Sequence, residues 1–192
     1  MNTAHHTHTE HEKEYSRRSR AGVIPYTVTP TGILLFILGE DTASRDISDW
    51  GGSVEEGETI EEAAVRELNE ETLGLIKMTV QELRRSYYVY DETNDNTIYF
   101  PYLDYRTVHY LPYDFHQKKK TVGKTEMNRV KLYLLNNIIL LLDYPLQTDQ
   151  KLYSRIRTTL KTALPYLHNI CNFYLNVYSN TIRENRNLRS TF

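Results

Sequence analysis

Glu67, Glu70 and Glu71 stand three and four residues apart, a spacing that puts all three on one face of a helix. Like charges held together in this way destabilise a helix by about a few tenths of a kcal/mol per pair. Nothing beside them in the sequence supplies three cations to offset the repulsion. A divalent cation would remove the penalty and turn it into binding, and carboxylate oxygens are the ligands that Mg²⁺ and Mn²⁺ prefer. The segment just before is rich in glycine. Gly51, Gly52 and Gly57 let the backbone turn tightly and come close to a ligand, so a carbonyl of this loop could complete a metal shell. Arg66 adjoins the acidic face and can pair with Glu58, eight residues earlier, which would hold Glu67 in one orientation.

The elements around this constellation follow from hydrophobic spacing. Ile60, Ala63, Ala64 and Leu68 recur near helical period, with Val65 widening the stripe, and predict a helix over Glu58 to Leu73 capped at Gly74. Upstream, Ala21 to Val28 reads as a strand with a bend at Pro25. Thr29 to Gly32 reads as a turn, and Ile33 to Leu38 as a buried strand that closes a hairpin. Gly39 to Asp49 reads as a loop. Downstream, Met78 to Tyr90 and Thr97 to Arg106 predict a second hairpin, turning at Asp91 to Asn96. His116 to Lys124 reads as a basic loop and Val130 to Leu135 as a strand. Lys151 to Leu164 reads as a helix stopped by Pro165. Strands on both sides of a helix, then a further helix, predict an α/β fold with a mixed β-sheet sandwiched by helices in a single domain.

Composition excludes several classes. The 192 residues suffice for one domain with a real core and are too few for two ordinary ones. A net charge of −2 does not advertise nucleic-acid binding. A single cysteine, Cys171, rules out an internal disulfide framework. The first residues lack the apolar stretch of a signal peptide, and Ile138 to Leu142 is too short to span a bilayer, so we expect a cytoplasmic protein without a membrane contact. Residues 1–19 are polar and read as a disordered arm, in which His5, His6, His8 and His11 belong to a solvated tail. Sixteen tyrosines and frequent asparagine towards the C-terminus are the bias of an AT-rich coding genome, such as some large DNA viruses have.

The stretch from Gly52 to Leu75 resembles the Nudix box. That box is a glycine, five residues, a glutamate, seven residues, then Arg-Glu-aliphatic-x-Glu-Glu-x-Gly-aliphatic. Gly52, Glu58 and Arg66-Glu67-Leu68-Asn69-Glu70-Glu71 match it without a gap. Two residues, Thr72 and Leu73, stand before Gly74 where the box has one; the three glutamates lie upstream of this change, which affects how the loop leaves the helix. The resemblance implies a Nudix-like α/β/α sandwich over 20–168, with a C-terminal extension over 169–192. It implies a metal-dependent hydrolase of diphosphate linkages, with Mg²⁺ or Mn²⁺ held by the Gly52 carbonyl and by Glu67, Glu70 and Glu71. Arg66 and Glu58 would orient these ligands. Glu126 is the candidate for the further acidic ligand that many members draw from a later loop. Metal ions neutralise the diphosphate and lower the pKa of a bound water, whose proton Glu67, or failing it Glu71, would accept.

Substrate contacts are less marked. Arg84, Arg85, Lys118, Lys119, Lys120 and Lys124 are candidates for receiving phosphates, though each taken alone reads as solvated charge. Trp50 either stacks on a nucleobase or anchors the glycine loop in the core, and anchoring is the favoured reading. Tyr87, Tyr88, Tyr90, Tyr99, Tyr102 and Tyr105 lie on the second hairpin, where packing is the commoner use. Three functions are in view: a pyrophosphohydrolase of a phosphorylated small molecule, an mRNA-decapping enzyme holding capped RNA with its basic loop and Arg183, Arg186 and Arg189, and a non-catalytic binding module. The intact glutamate triad speaks against the third. The oligomeric state is open.

Overall fold

The computed structural model describes residues 19–143 and 151–189, with side chains as far as residue 173. The expected N-terminal arm lies outside the described residues, Ser19 excepted.

Pro25 divides the first predicted strand in two, because it supplies no N–H to a ladder. The resulting β1 (Arg20–Val23) and β2 (Tyr26–Val28) enter different sheets. β3 (Leu34–Asp41) pairs antiparallel with β2, opposing Tyr26 and Phe36 as the expected hairpin requires. β4 (Ile47–Ser48) and β8 (Met127–Tyr133) also pair with β3. The other sheet has the order β5-β1-β7-β6, formed with β5 (Trp50–Ser53), β6 (Tyr87–Asp91) and β7 (Asn96–Phe100). It is mixed, since β1 runs parallel to β7 and antiparallel to β5.

Helices cover both faces. Strand alternation sends Ile37 to one side, where it joins Trp50, Ala63, Ala64, Leu68 and Phe115 in a core under α1 (Ile60–Glu71) and α4 (Leu111–Val122). Phe36 and Leu38 point the other way, into a core shared with α5 (Leu135–Asp143) and α6 (Ser154–Arg189). The α/β/α sandwich is therefore present. α1 starts at a reciprocal cap: Thr59 accepts from the Glu62 N–H while the Glu62 carboxylate accepts from the Thr59 N–H. The extra residue after the box is taken up at its C-terminus. Leu73 and Gly74 both take left-handed φ, 58° and 71°, and the Gly74 N–H bonds back to the Asn69 carbonyl at 2.6 Å.

Besides the split at Pro25, five expectations change, and the first is that Gly39 to Asp49 is not all loop, since β3 runs on to Asp41 and pairs with β4 at Ile47–Ser48. The basic loop is part of α4, because Pro112 in the first turn and the buried pair Leu111 and Phe115 favour a helix there. Residues 78–86 are not strand: Thr79 and Glu82 form a second capping box that starts the short α2 (Val80–Leu83). The run Thr97 to Arg106 leaves the sheet at Pro101, and Asp104 caps α3 (Tyr105–Val108). Pro165 does not stop α6. Leu160, Ala163, Leu167 and Ile170, on both sides of it, are all buried in one core, and their burial outweighs the roughly 3 kcal/mol an interior proline costs. No helix among the described residues is long and apolar enough to cross a membrane.

Candidate functional site

α1 lies against β1 and β5, so its N-terminal half buries Ala63 and Ala64 while Glu67, Glu70 and Glu71 line the opening beside the glycine strand. That opening is a cavity of about 540 Å³, walled by Gly52, Ser53, Glu55, Arg66, Glu67 and Glu70 together with Glu71, Leu73, Val122, Lys124, Thr125 and Glu126. Glu126 reaches it from the turn before β8, so the fourth carboxylate comes from a segment more than fifty residues away in sequence.

Arg66 organises the acidic wall. Its Nε and Nη2 donate to the two oxygens of Glu58 at 2.7 and 3.0 Å, a bidentate pair. Nη2 also donates to the Ser53 carbonyl at 3.0 Å, and Nη1 donates to Glu67 at 2.7 Å. The guanidinium thus ties the loop, the helix and the Glu67 carboxylate into one unit. These bonds from Arg66 hold the Glu58 carboxyl at about 2, and raise the pKa of Arg66 in turn. Burial raises Glu67 above the ordinary carboxylate range, with Glu70 and Glu126 adding to the effect and Arg66 opposing it. Glu67 sits directly over Gly52, where a β-carbon would collide with its carboxylate. Glycine lets Glu67 approach this closely, and backbone strain plays no part, since Gly52 does not take positive φ.

Glu71 is turned inward. It accepts the Gly51 N–H at 2.6 Å, and burial pushes its carboxyl well above the ordinary range, reinforced by Asp49. Behind it lies a buried pair that spacing alone does not reveal. Arg20 donates to both oxygens of Asp49, at 2.6 and 2.8 Å, and to the Gly51 carbonyl at 2.9 Å. Burial works against the Arg20 charge, but Asp49 outweighs it and the pKa of Arg20 is raised. β1 brings Arg20 to β5 across the sheet, 29 residues apart in sequence, and no motif marks either residue.

The donor set is all oxygen, from carboxylates and a strand carbonyl, and fits a hard divalent cation such as Mg²⁺ or Mn²⁺. Among the described residues no three acidic or histidine side chains converge as ready ligands. Glu67 is held by Arg66, Glu71 by Gly51, and Glu70 is largely exposed at 59%. Binding therefore requires these side chains to turn towards a common point.

Of the residues expected in the site, the structure brings Gly52, Arg66, Glu67, Glu70, Glu71 and Glu126 to one cavity, with Glu58 behind Arg66. Of the substrate candidates it brings Lys124 there and leaves the others outside. Trp50 is fully buried, donates its indole N–H to the Ile37 carbonyl at 3.0 Å and packs near Phe115, so it anchors β5 and has no face for a base. Arg84 pairs with Glu61 at 3.2 Å, away from the cavity. Lys119 donates to the Met127 and Asn128 carbonyls and fastens α4 to β8. Lys118 and Lys120 do not line the cavity, whereas Lys124 does.

Comparison with known proteins identifies the family of this fold. The family model described as NUDIX domain matches residues 17–147. A MutT/nudix family protein from Listeria innocua superposes with a TM-score of 0.50 at 17% identity, over 82% of this chain and 97% of that one. The C. elegans Ap4A hydrolase gives 0.47 at 16%, over 78% and 98%. A MutT/nudix family protein from Enterococcus faecalis gives 0.43 at 11%, over 61% of this chain, which spans less than half (43%) of that protein's length. At these identities the likeness is one of fold. A search of curated protein sequences found no match.

Proposed function

The chain belongs to the NUDIX domain family and so to the hydrolases of phosphoric anhydride bonds; within it, we propose that this protein cleaves a diphosphate linkage in a nucleoside diphosphate derivative or a similar small molecule, with Mg²⁺ or Mn²⁺ as cofactor. The observation that carries the reading is the cavity lined together by Gly52, Glu67, Glu70, Glu71 and Glu126. Those four carboxylates and the Gly52 carbonyl would hold the cation. When bound, it neutralises the diphosphate charge and lowers the pKa of water at the site.

The remaining steps fall to the chain's own groups. Glu67, raised by burial and oriented by Arg66, is suited to accept the proton of the attacking water, with Glu71 as second choice. Arg66 and Glu58 keep Glu67 over Gly52. Lys124, on the same cavity, is placed to receive a phosphate oxygen. A decapping activity would draw on Arg183, Arg186 and Arg189, whose side chains lie outside the described residues, and on the basic segment with the triple Lys118, Lys119 and Lys120. Lys119 is committed to β8 and none of these three lysines lines the cavity, so capped RNA enters only as an arm of the test.

The test is product release from ADP-ribose, diadenosine polyphosphates, diphosphoinositol phosphates and capped RNA, with Mg²⁺ and with Mn²⁺, for the wild type and Glu70→Gln. Metal-dependent turnover of a small molecule, lost in the variant, is expected. Turnover of capped RNA alone, dependent on RNA length and falling steeply with salt, would replace this substrate class with decapping.

A further inference from the structure

A second cavity, of about 340 Å³, adjoins the first and shares Gly52, Ser53, Glu71 and Glu126 with it as a common wall. Its opposite side is built by Tyr153 and Arg155, at the start of α6. Both lie beyond residues 17–147, the part of the chain that matches the family model. It is firmly seated. Leu152 bridges to Ile47, the Tyr153 N–H donates to the Ile47 carbonyl at 2.8 Å, and the Ile47 N–H donates to the Lys151 carbonyl at 2.6 Å. Leu152 and Ile156, on either side of the pair, are buried.

Polar groups around this cavity divide into committed and uncommitted ones. Arg20 is held by Asp49 and the Gly51 carbonyl. Asp41 accepts the N–H groups of Ala43 and Ser44. Ser48 donates to Asp49, and Glu71 accepts from Gly51. Besides the exposed Ser53 hydroxyl on the shared wall, three side chains keep a donor in hand. The Ser44 hydroxyl accepts from the Asp46 N–H, which leaves its own proton available. The Tyr153 hydroxyl and the Arg155 guanidinium make no hydrogen bond or ion pair among the described residues. The carboxylates of Glu71 and Glu126 lie on the wall shared with the first cavity, whereas the uncommitted groups on the α6 side are donors, one of them a guanidinium, and a guanidinium fork suits a phosphate best.

We propose that Arg155, with Tyr153 and Ser44, binds a phosphate of the substrate that lies beyond the scissile diphosphate. The common wall lets a chain of three or more phosphates run from the glutamates to Arg155. A substrate with only two phosphates leaves this subsite empty. The proposal rests on the hydrolase reading above and narrows its substrate class to polyphosphates longer than a diphosphate.

The experiment compares diadenosine tetraphosphate with ADP-ribose in the wild type, Arg155→Ala and Arg155→Lys. The ratio of kcat/KM for the longer to the shorter substrate should fall at least tenfold in Arg155→Ala and recover in part in Arg155→Lys. An unchanged ratio overturns the subsite, as does an equal loss on both substrates. Calorimetric titration with inorganic tripolyphosphate in the presence of Mg²⁺ separates this proposal from the reading beneath it. Should no substrate turn over while the wild type still binds tripolyphosphate at least tenfold more tightly than Arg155→Ala, the subsite stands and the reaction does not. Turnover by the wild type with equal tripolyphosphate affinity in both proteins removes the subsite alone. Absence of both turnover and binding removes both.

Discussion

Gly52→Ala isolates the contact between the glycine strand β5 and the acidic face of α1. A β-carbon built at residue 52 stands 2.5 Å from the Glu67 Cδ. Carbon atoms in ordinary contact keep about 3.5 Å or more, so the carboxylate must retreat by roughly 1 Å. Glu67 is a flexible side chain and can retreat, and residue 52 has no left-handed φ for alanine to strain. Folding is therefore expected to survive, with a melting temperature within a few degrees of wild type. Activity should not survive in the same measure. A displacement of about 1 Å at a reacting centre costs roughly a hundredfold, and the retreat also pulls Glu67 against the 2.7 Å bond from Arg66. The assay is steady-state product release from the best substrate of the panel, beside thermal melting of the same sample. A folded Gly52→Ala protein with kcat/KM within threefold of wild type would refute the argument that Glu67 acts from its place over Gly52.

Three further outcomes follow from packing and charge. Asp49→Asn leaves Arg20 charged and buried without its partner, and should destabilise the fold by about 3 kcal/mol in urea denaturation; a loss under 1 kcal/mol would mean that the pair contributes little. Glu40 is buried, which alone would raise its pKa, but bonds from Asn128, Lys131 and Arg45 pull it from 4.5 to about 2. Its native pKa is depressed, so the stabilisation is complete above about pH 4.5 and lost as pH falls through about 2, amounting to about 3 kcal/mol at neutrality. Urea denaturation of wild type and Glu40→Gln should show a gap at pH 7 that narrows by pH 3, and a gap independent of pH would contradict this. Pro165→Ala restores a helical N–H and removes a ring clash within α6, and should raise the melting temperature; a fall would show that the proline suits the local backbone.

Much of the site was legible in the sequence because it is local. Helical spacing alone puts Glu67, Glu70 and Glu71 on one face, and the Arg66–Glu58 pair forms as that spacing suggests, since both ends of an eight-residue span are held by α1 and its cap. The hairpin of β2 and β3 was equally readable from alternation and the Thr29–Gly32 turn. What stayed hidden is non-local. Arg20 meets Asp49 only because β1 enters the sheet between β5 and β7, and Tyr153 reaches the cleft only because Leu152 docks on Ile47. The helix α4 was missed for another reason. Its run of lysines reads as solvent-facing loop, while the two residues that bury it, Leu111 and Phe115, lie before the charged stretch. Capping boxes at Thr59 and Thr79 were visible signals, and the second would have found α2.

The central claim is that the acidic face of α1 performs metal-dependent hydrolysis of a diphosphate. Its most direct measurement is product release by the full chain against Mg²⁺ or Mn²⁺ concentration, in wild type and in Glu70→Gln, with binding of the same cation followed in parallel by calorimetry. Glu70 is exposed and holds Arg66 only weakly, at 3.5 Å, so the variant should fold as wild type does. Turnover that saturates with the cation, is abolished by EDTA, and drops at least a hundredfold in Glu70→Gln together with weakened cation binding is the predicted result. Turnover that persists in EDTA, or a variant as active as wild type, would contradict the account.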